Sequence, residues 1–309
     1  MCWFTDSAMN QRRCFALLVL ACLMFAGQGT AIKYLNRQLG PVQLTFLPFA
    51  TATLLMLPLL VRLRRDPLRR GPTAPDWPRF VVAGVGGQVL AQLGMAWGIT
   101  RSLASNAAIL GLLLPVMSTL LAVVWLHEGI TRLRVLAFAN ALAGVLLLSA
   151  DSLHQSALTE MRYLSGNLLI VAGVTGSAFY NVYCKSLFQK FSQVEVLISS
   201  YIAASIAGLF LIVWLEQPSP DLFATLTWQS WLGFGYQAVV TYGLAMLLFF
   251  KALKHLDVST ASLSLYLLPV FGVILATLLL GERLGWPALV GSAIVFASTL
   301  IAVKYDRTT

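Results

Sequence analysis

The sequence predicts an all-α integral membrane protein in which ten transmembrane helices form two inverted five-helix repeats. Of its 309 residues, 58% are hydrophobic and only 11% are charged, whereas soluble domains carry about 25% charged residues. The run LLPV occurs at 113–116 and again at 267–270, 154 positions later. In each copy an acidic residue, Glu128 or Glu282, follows the proline by thirteen positions. A chain this apolar must face lipid, and the long spacing indicates that its two halves are duplicates.

Ten stretches of the chain approach the roughly 20 mostly apolar residues that a membrane helix needs. They lie at 14–32, 43–61, 80–99, 103–126, 134–150, 164–184, 196–215, 229–250, 258–280 and 286–303. Only the connector at 62–79 is long and charged, so no soluble domain is expected. The predicted organisation is a cytoplasmic N-terminus at 1–13, a first repeat at 14–150, an external linker at 151–163, a second repeat at 164–303 and a cytoplasmic tail at 304–309.

The first apolar stretch follows Arg12 and Arg13, as the apolar core of a signal peptide would. We favour an uncleaved membrane anchor, because the first helix has a counterpart in the sixth. In that loose alignment Lys33 corresponds to Lys185.

The positive charges predict the orientation of the chain. With ten helices, 16 of the 21 Lys and Arg residues fall on the side of the N-terminus. Cytoplasmic loops carry such an excess, so both termini of this multi-pass cell-membrane protein are expected in the cytoplasm. The net charge of +9 then reflects topology, and no nucleic-acid partner is expected. Because each repeat has an odd number of helices, the two repeats must be inverted, and such pairs can alternate between two conformations.

The ten stretches carry no acidic or basic residue in their interiors, as expected from the cost of a charge at the bilayer centre. Proton-coupled pumps usually place a carboxylate at depth, so uniport or exchange fits better, although coupling through helix-end residues stays open. We interpret Glu128 and Glu282 as interfacial helix caps.

Two glutamines in the third stretch are the leading candidates for a binding site. Gln88 and Gln92 are four positions apart and therefore share a helix face. At the repeat spacing Gln88 corresponds to Tyr242 in the eighth stretch, also near mid-span. An unpaired amide in hydrocarbon costs several kcal/mol, so each must meet another helix or a water-filled cavity. Both alternatives stay open for one glutamine; for the pair we favour the cavity.

Five further candidates carry weaker signals. Gln28 lies between two glycines that permit close helix packing, and Asn106 has the position of an N-cap residue. The full candidate set for substrate binding is Gln28, Gln88, Gln92, Asn106, Tyr180, Asn181, Tyr242 and Tyr266.

The two repeated prolines, Pro115 and Pro269, lie inside apolar helices. A proline lacks an N–H, so the carbonyl four residues earlier, at Gly111 or Leu265, loses its helical partner. Each proline is therefore predicted to make a bend, which either is a static kink or serves as a gate.

Signals for catalysis or metal binding are absent from the sequence. No phosphate-binding loop, HExxH or GxSxG motif occurs, so no catalytic residue and no cofactor is predicted. The cysteines have no metal-binding or disulfide spacing, and the histidines lie far apart in loops. These residues are Cys2, Cys14, Cys22, Cys184, His127, His154 and His255.

The repeated motifs resemble those of the drug/metabolite transporter superfamily, EamA type, over about 14–303. The segments that carry the resemblance are AIKYLNRQLGPVQLTFLPF at 31–49, SNAAILGLLLPVMSTLLAVVWLHE at 105–128 and STASLSLYLLPVFGVILATLLLGERL at 259–284. The second half is the better match, since it ends in GERL at 281–284 where the first half has HEGI at 127–130.

The resemblance implies export or exchange of small metabolites, such as amino acids, through a cavity lined by helices 1, 3, 4, 6, 8 and 9. The working hypothesis is an alternating-access transporter of small polar or amphipathic metabolites, whose substrate is neutral or zwitterionic. Its expected partners are that substrate and the lipid bilayer, and a homodimer stays open. The alternatives are a non-transporting scaffold or sensor and a membrane-embedded enzyme.

Overall fold

A computed structural model of the chain describes residues 10–36, 38–65, 72–102, 104–148, 161–217, 221, 223–224, 226–280 and 286–305. Every regular element among these residues is helical, in agreement with the predicted all-α class. Glu282, the GERL corner at 281–284 and most of the predicted linker at 151–163 lie outside the described residues.

Helices occur at each of the ten predicted positions, and we number them in chain order. They are α1 (Gln11–Ala26, then Gln28–Leu35), α2 (Gln43–Arg64), α3 (Ala74–Thr100), α4 (Ala104–Gly111, then Leu113–Leu126), α5 (Arg132–Leu148), α6 (Leu164–Leu187), α7 (Gln193–Leu215), α8 (Trp228–His255), α9 (Val258–Leu263, Ser264–Tyr266 and Leu267–Leu280) and α10 (Trp286–Tyr305).

Seven of these helices in the described part of the chain are long and apolar enough to cross a membrane, namely α1 to α4 and α6 to α8. The apolar parts of α9 and α10 are shorter, at Val258–Gly272 and Leu289–Ala302, and α5 has 17 residues. The chain is therefore a multi-pass membrane protein. That all ten helices cross the bilayer remains a prediction.

The duplication is visible in where the helices begin and end. The uninterrupted part of α4, Leu113–Leu126, recurs 154 residues later as Leu267–Leu280 in α9. The same spacing separates the first residues of α3 and α8, Ala74 and Trp228. It also separates the first residues of α5 and α10. The sequence repeat is thus a repeat of structure, with one set of helix boundaries used twice.

Helices from opposite halves approach each other closely through glycine. In the α3–α6 pair, a Cβ atom on Gly94 would lie 2.5 Å from the backbone nitrogen of Gly173, and one on Gly98 would lie 3.0 Å from the carbonyl oxygen of Gly166. The residue numbers rise in one helix as they fall in the other, so the pair is antiparallel. The pair α1–α8 is antiparallel too, with Gly27 against Tyr236 and Ala31 against Gly233. Inverted halves would give this arrangement.

Charged side chains tie the bundle together at its ends. After α7, the Glu216 carboxylate accepts hydrogen bonds from the backbone N–H groups of Val42 and Gln43, both at 2.8 Å. These are free N–H groups of the first turn of α2, where a negative charge is favourable. At the start of α3, Asp76 pairs with Lys190 at 2.6 Å. The helix ends therefore carry charge, as the sequence predicted.

Replacing Gly94 by alanine is expected to lower stability, because the new methyl group would overlap the backbone of Gly173 and force α3 from α6. Overpacking of this kind costs about 1–3 kcal/mol. The measurement is the Tm of the detergent-purified protein by fluorescence-detected gel filtration. The control is Gly235→Ala in α8, where an added Cβ has nothing within 4 Å. Equal Tm values for the two variants would contradict the close approach.

Candidate functional site

A cavity of about 560 Å³ lies within the bundle, and it is lined from α1, α2, α3, α4, α6, α8 and α9. Cavities that bind small molecules have volumes of roughly 300–1,000 Å³. At one end its lining includes Asn36, Ile99 and Thr100, which are exposed. This end of the bundle, where α1 and α3 finish, is the mouth of the cavity. At the opposite end, Val258 and Ser259 are fully buried.

Equivalent residues of the two halves face this cavity together. Among its lining residues on α3, α4, α8 and α9, four pairs are separated by the repeat spacing of 154. These pairs are Gln88 with Tyr242, Gln92 with Met246, Met95 with Phe249, and Leu114 with Leu268. The cavity therefore lies between the halves and receives corresponding positions of both.

The backbones of α3 and α8 widen into π-helix beside the cavity. The π-helical segments are Val82–Val89 and Tyr236–Ala245, and their starts are again 154 residues apart. π-helical turns are rare and occur often at functional sites. Gln88 and Tyr242 lie within these segments, so both halves present their central polar residue from a loosened helix.

A chain of hydrogen bonds crosses the cavity wall. The Tyr242 hydroxyl donates to Gln92 Oε1 at 3.5 Å, and Gln92 Nε2 donates to Gln88 Oε1 at 3.3 Å. Gln28 lies beside Tyr242 at one end of this chain, and Gln88 lies beside Tyr180, whose hydroxyl pairs with Ser200 Oγ at 2.9 Å, at the other. The bonds from Tyr242 to Gln92 and from Gln92 to Gln88 are longer than the usual 2.7–3.2 Å. These groups can therefore exchange partners with a bound solute at small cost.

The remaining lining divides the cavity into polar and apolar parts. No acidic or basic side chain lines it in the described part of the chain. The apolar side chains of the inner part include Phe25, Leu114, Met246, Phe249, Leu265 and Leu268. The site thus offers neutral hydrogen-bonding groups on one wall and a hydrophobic surface beside it.

The helices that carry the repeated prolines are both irregular just ahead of the proline. α4 is interrupted at Leu112, and α9 tightens into a 3-10 turn at Ser264–Tyr266. The Tyr266 hydroxyl donates to the Leu112 carbonyl at 3.2 Å. These two positions are 154 residues apart. In two halves related by a two-fold axis, equivalent positions contact each other only near that axis, so the predicted inversion of the repeats would place this bond there.

The sequence profile of the EamA-like transporter family matches this chain at residues 12–150 and 164–304. The chain belongs to the EamA-like transporter family. The two matches correspond to the two structural repeats, and the resemblance predicted from the LLPV segments is confirmed.

Relatives of this EamA-family transporter carry transporter names. A "Probable terminal-alkyne amino-acid exporter" of Streptantibioticus cattleyicolor is 27% identical over 232 residues, which cover 75% of each chain. An "Uncharacterized transporter" of Archaeoglobus fulgidus is 24% identical over 280 residues, covering 89% of this chain and 93% of its own. A solved crystal structure aligns with 97% of this chain and 100% of its own, with a TM-score of 0.78 at 18% identity. That similarity shows a shared fold.

Six of the eight predicted binding residues line the cavity of the EamA transporter: Gln28, Gln88, Gln92, Tyr180, Asn181 and Tyr242. Asn106 and Tyr266 do not. Asn106 is fully buried and donates to Ser102 Oγ and Asn167 Oδ1 at 3.0 and 3.1 Å. Whether any of the eight binds substrate remains a prediction.

Several polar residues of the lining escaped the sequence analysis. Ser177 lies one helical turn before Asn181 and shares its face, so the spacing of four could have identified it. Thr45 and Asn36 lie on α2 and just after α1, and nothing in the sequence distinguishes them from residues at an ordinary helix end.

Tyr266→Phe is expected to lower the stability of the EamA transporter by about 1–2 kcal/mol, because the buried Leu112 carbonyl would lose its hydrogen bond. The control is Tyr201→Phe, because the equally buried Tyr201 hydroxyl has no hydrogen-bond partner among the described residues. Thermal unfolding of the two purified variants provides the comparison. A Tyr201→Phe variant as unstable as Tyr266→Phe would contradict the assigned bond.

Proposed function

We propose that this EamA-family protein is an alternating-access carrier, with ten membrane-crossing helices, that exports or exchanges small polar or amphipathic metabolites such as amino acids. The observation that carries the proposal is the cavity between the repeats. Its described lining is uncharged, with polar groups on one wall and apolar side chains beside them, and it is open at one end of the bundle. A cavity open to solvent suits a carrier better than a scaffold or sensor.

The distribution of charge supports a location of the mouth outside the cell. The mouth lies at the C-terminal end of α1, whereas Arg12 and Arg13 lie at the N-terminal end of the same helix. With both termini in the cytoplasm of the cell, as the Lys and Arg excess favours, the structure would be an outward-open state of the carrier.

The composition of the cavity supports a substrate without net charge. A strongly charged solute would lose its hydration in the cavity and gain no counter-charge from the described lining, which is costly. An amino acid in its zwitterionic form has both charges close together, and amide and hydroxyl groups can bond to each. The hydrophobic inner part would accept an apolar side chain. The name of the Streptantibioticus cattleyicolor relative, an amino-acid exporter, agrees with this class.

The proposed mechanism couples substrate binding to rearrangement of the loosened helices. A substrate that binds between Gln88 and Tyr242 replaces the long hydrogen bonds that connect these two residues through Gln92. The new bonds to the substrate draw α3 and α8 together. Exchange of one solute for another then needs no proton-carrying group at depth, in keeping with the absence of a carboxylate from the described lining.

The first test is counterflow of labelled amino acids in proteoliposomes. The double variant Gln88→Ala with Gln92→Ala is expected to reduce transport at least about tenfold at equal protein content, because each lost hydrogen bond to substrate is worth roughly 1 kcal/mol. Gln229→Ala, at an exposed position at the start of α8, is the control. Unchanged transport by the double variant would disprove the site.

The second test places a charge in the cavity. Gln92→Glu keeps the size of the side chain and adds a carboxylate beside Tyr242. The variant is expected to bind cationic amino acids more tightly than the wild type and to lose affinity for neutral ones. Competition of each class against labelled substrate measures this change. The same order of preference in wild type and variant would place Gln92 away from the substrate.

A further inference from the structure

The end of the bundle opposite the mouth is closed around the junction between α8 and α9. α8 ends at His255, Leu256 is extended, and α9 begins at Val258. The last carbonyls of a helix and its first N–H groups have no partners within that helix. Here both sets lie side by side, and charged side chains from the other helices satisfy them.

Lys185, near the end of α6, binds the carbonyl end of α8. Its ammonium group donates to the carbonyl oxygens of Leu253, Lys254 and Leu256 at 2.7, 2.9 and 2.8 Å. All three protons of the ammonium are used. The negative end of the α8 dipole adds to the attraction.

Glu128, just after α4, binds the N–H end of α9. One carboxylate oxygen accepts from the Val258 N–H at 2.7 Å, and the other accepts from the Ser259 N–H at 3.1 Å and its hydroxyl at 2.7 Å. This confirms the capping role predicted for Glu128. It adds that the capped helix belongs to the other half of the protein.

A third charged group supports the same junction. Arg134, at the start of α5 and 1% exposed, bonds to the Asp257 carboxylate and to the Gly129 carbonyl oxygen, the latter at 3.0 Å. α4, α5 and α6 thus each send one charge to the turn that joins α8 to α9.

The corresponding turn at the mouth is bound differently. The repeat spacing places the α3–α4 turn, at about 99–105, opposite the α8–α9 turn. Ile99 and Thr100, equivalent to Leu253 and Lys254, are exposed and line the mouth. Among the described residues of the α3–α4 turn, the Ser102 hydroxyl donates to Asn167 Oδ1 at 2.6 Å, and both of these groups are neutral. One copy of the turn is therefore buried and bound by charged side chains, whereas the described part of the other copy is exposed at the mouth.

We propose that Glu128 and Lys185 form a latch, supported by Arg134 and Asp257, that keeps the end opposite the mouth closed and releases when the carrier reverses. This inference rests on the proposed alternating access. Charge-assisted hydrogen bonds are roughly twice as strong as neutral ones, which favours the closed junction. Both charges bind backbone groups of α8 and α9, so water can replace the bonds when the junction opens, and the latch is reversible.

Access to the cavity from each side of the membrane tests the latch. Ser177→Cys provides a thiol in the cavity, in a background with Cys2→Ser, because Cys14, Cys22 and Cys184 are buried. A membrane-impermeant maleimide is applied to right-side-out and to inverted vesicles. With the latch intact, labelling is expected from the mouth side. With Glu128→Gln or Lys185→Met, labelling from the latch side is expected to rise at least about fivefold, while labelling from the mouth falls.

Two variants separate a latch from a simple loss of stability. Glu216→Gln removes a carboxylate cap of the same geometry, between α7 and α2, and is expected to leave the sidedness unchanged. Lys185→Arg keeps the charge and is expected to stay close to wild type. Unfolding would expose the three buried cysteines, which mass spectrometry of the labelled protein detects. If labelling of the folded Glu128→Gln variant keeps the wild-type sidedness, the latch is disproved.

A second measurement uses the chain without latch substitutions. Amide hydrogen exchange is expected to be at least about tenfold slower at 253–259 than at the equivalent turn at 99–105, and equal rates would overturn the inference. The outcomes also separate the latch from the proposed function. A change in sidedness without transport of any tested solute would retain the latch and contradict the proposed substrate class, whereas transport with unchanged sidedness would retain the carrier and disprove the latch.

Discussion

The structure depends on one constraint: in a hydrocarbon environment every backbone polar group needs a partner and no charge can be left alone. The chain meets this constraint by placing charged side chains at helix ends. There they bind the backbone N–H and C=O groups that are unpaired at the ends of other helices. Glu216 caps α2, Glu128 caps α9 and Lys185 caps α8. The interior is then left to amides, hydroxyls and hydrocarbon, and for this reason the cavity is neutral. The neutrality of the proposed substrate and the charged closure of one end have the same physical origin.

Because the sequence is duplicated, each half of the protein supplies the same kinds of irregular helix segment. Each half supplies a helix that widens into π-helix, at Val82–Val89 and Tyr236–Ala245, and a helix loosened ahead of proline. These soft segments surround the cavity, whereas the glycine-mediated contacts of α3 with α6 are tight. Rigid pairs of helices joined by soft central segments can tilt without unfolding, which alternating access requires.

The sequence predicted the parts of the structure that hydropathy and repetition encode. All ten helix positions follow from apolar length, and the spacing of 154 anticipates the shared boundaries of α4 and α9. The face shared by Gln88 and Gln92 does line the cavity, because helical periodicity determines which side chains lie together. Partners distant in sequence were beyond this reasoning. Nothing local tells that Asn106 bonds to Asn167, that Glu128 caps α9, or that α3 relaxes into π-helix.

The contact between Tyr266 and Leu112 has a consequence for energetics. If two inverted halves were identical, a two-fold rotation would convert the inward-facing conformation into the outward-facing one. The two conformations would then have the same free energy, and an empty carrier would divide evenly between them. Tyr266 and its equivalent, Leu112, differ, so the two halves are not identical at this contact. Only the turn at Leu112 receives a hydrogen bond from a hydroxyl group. Unmatched pairs such as Gln92 and Met246 add to the imbalance. A single substitution in one half, without the equivalent substitution in the other, can therefore shift the equilibrium between the two conformations of an empty carrier. Such a shift decides which side of the membrane the empty binding site faces.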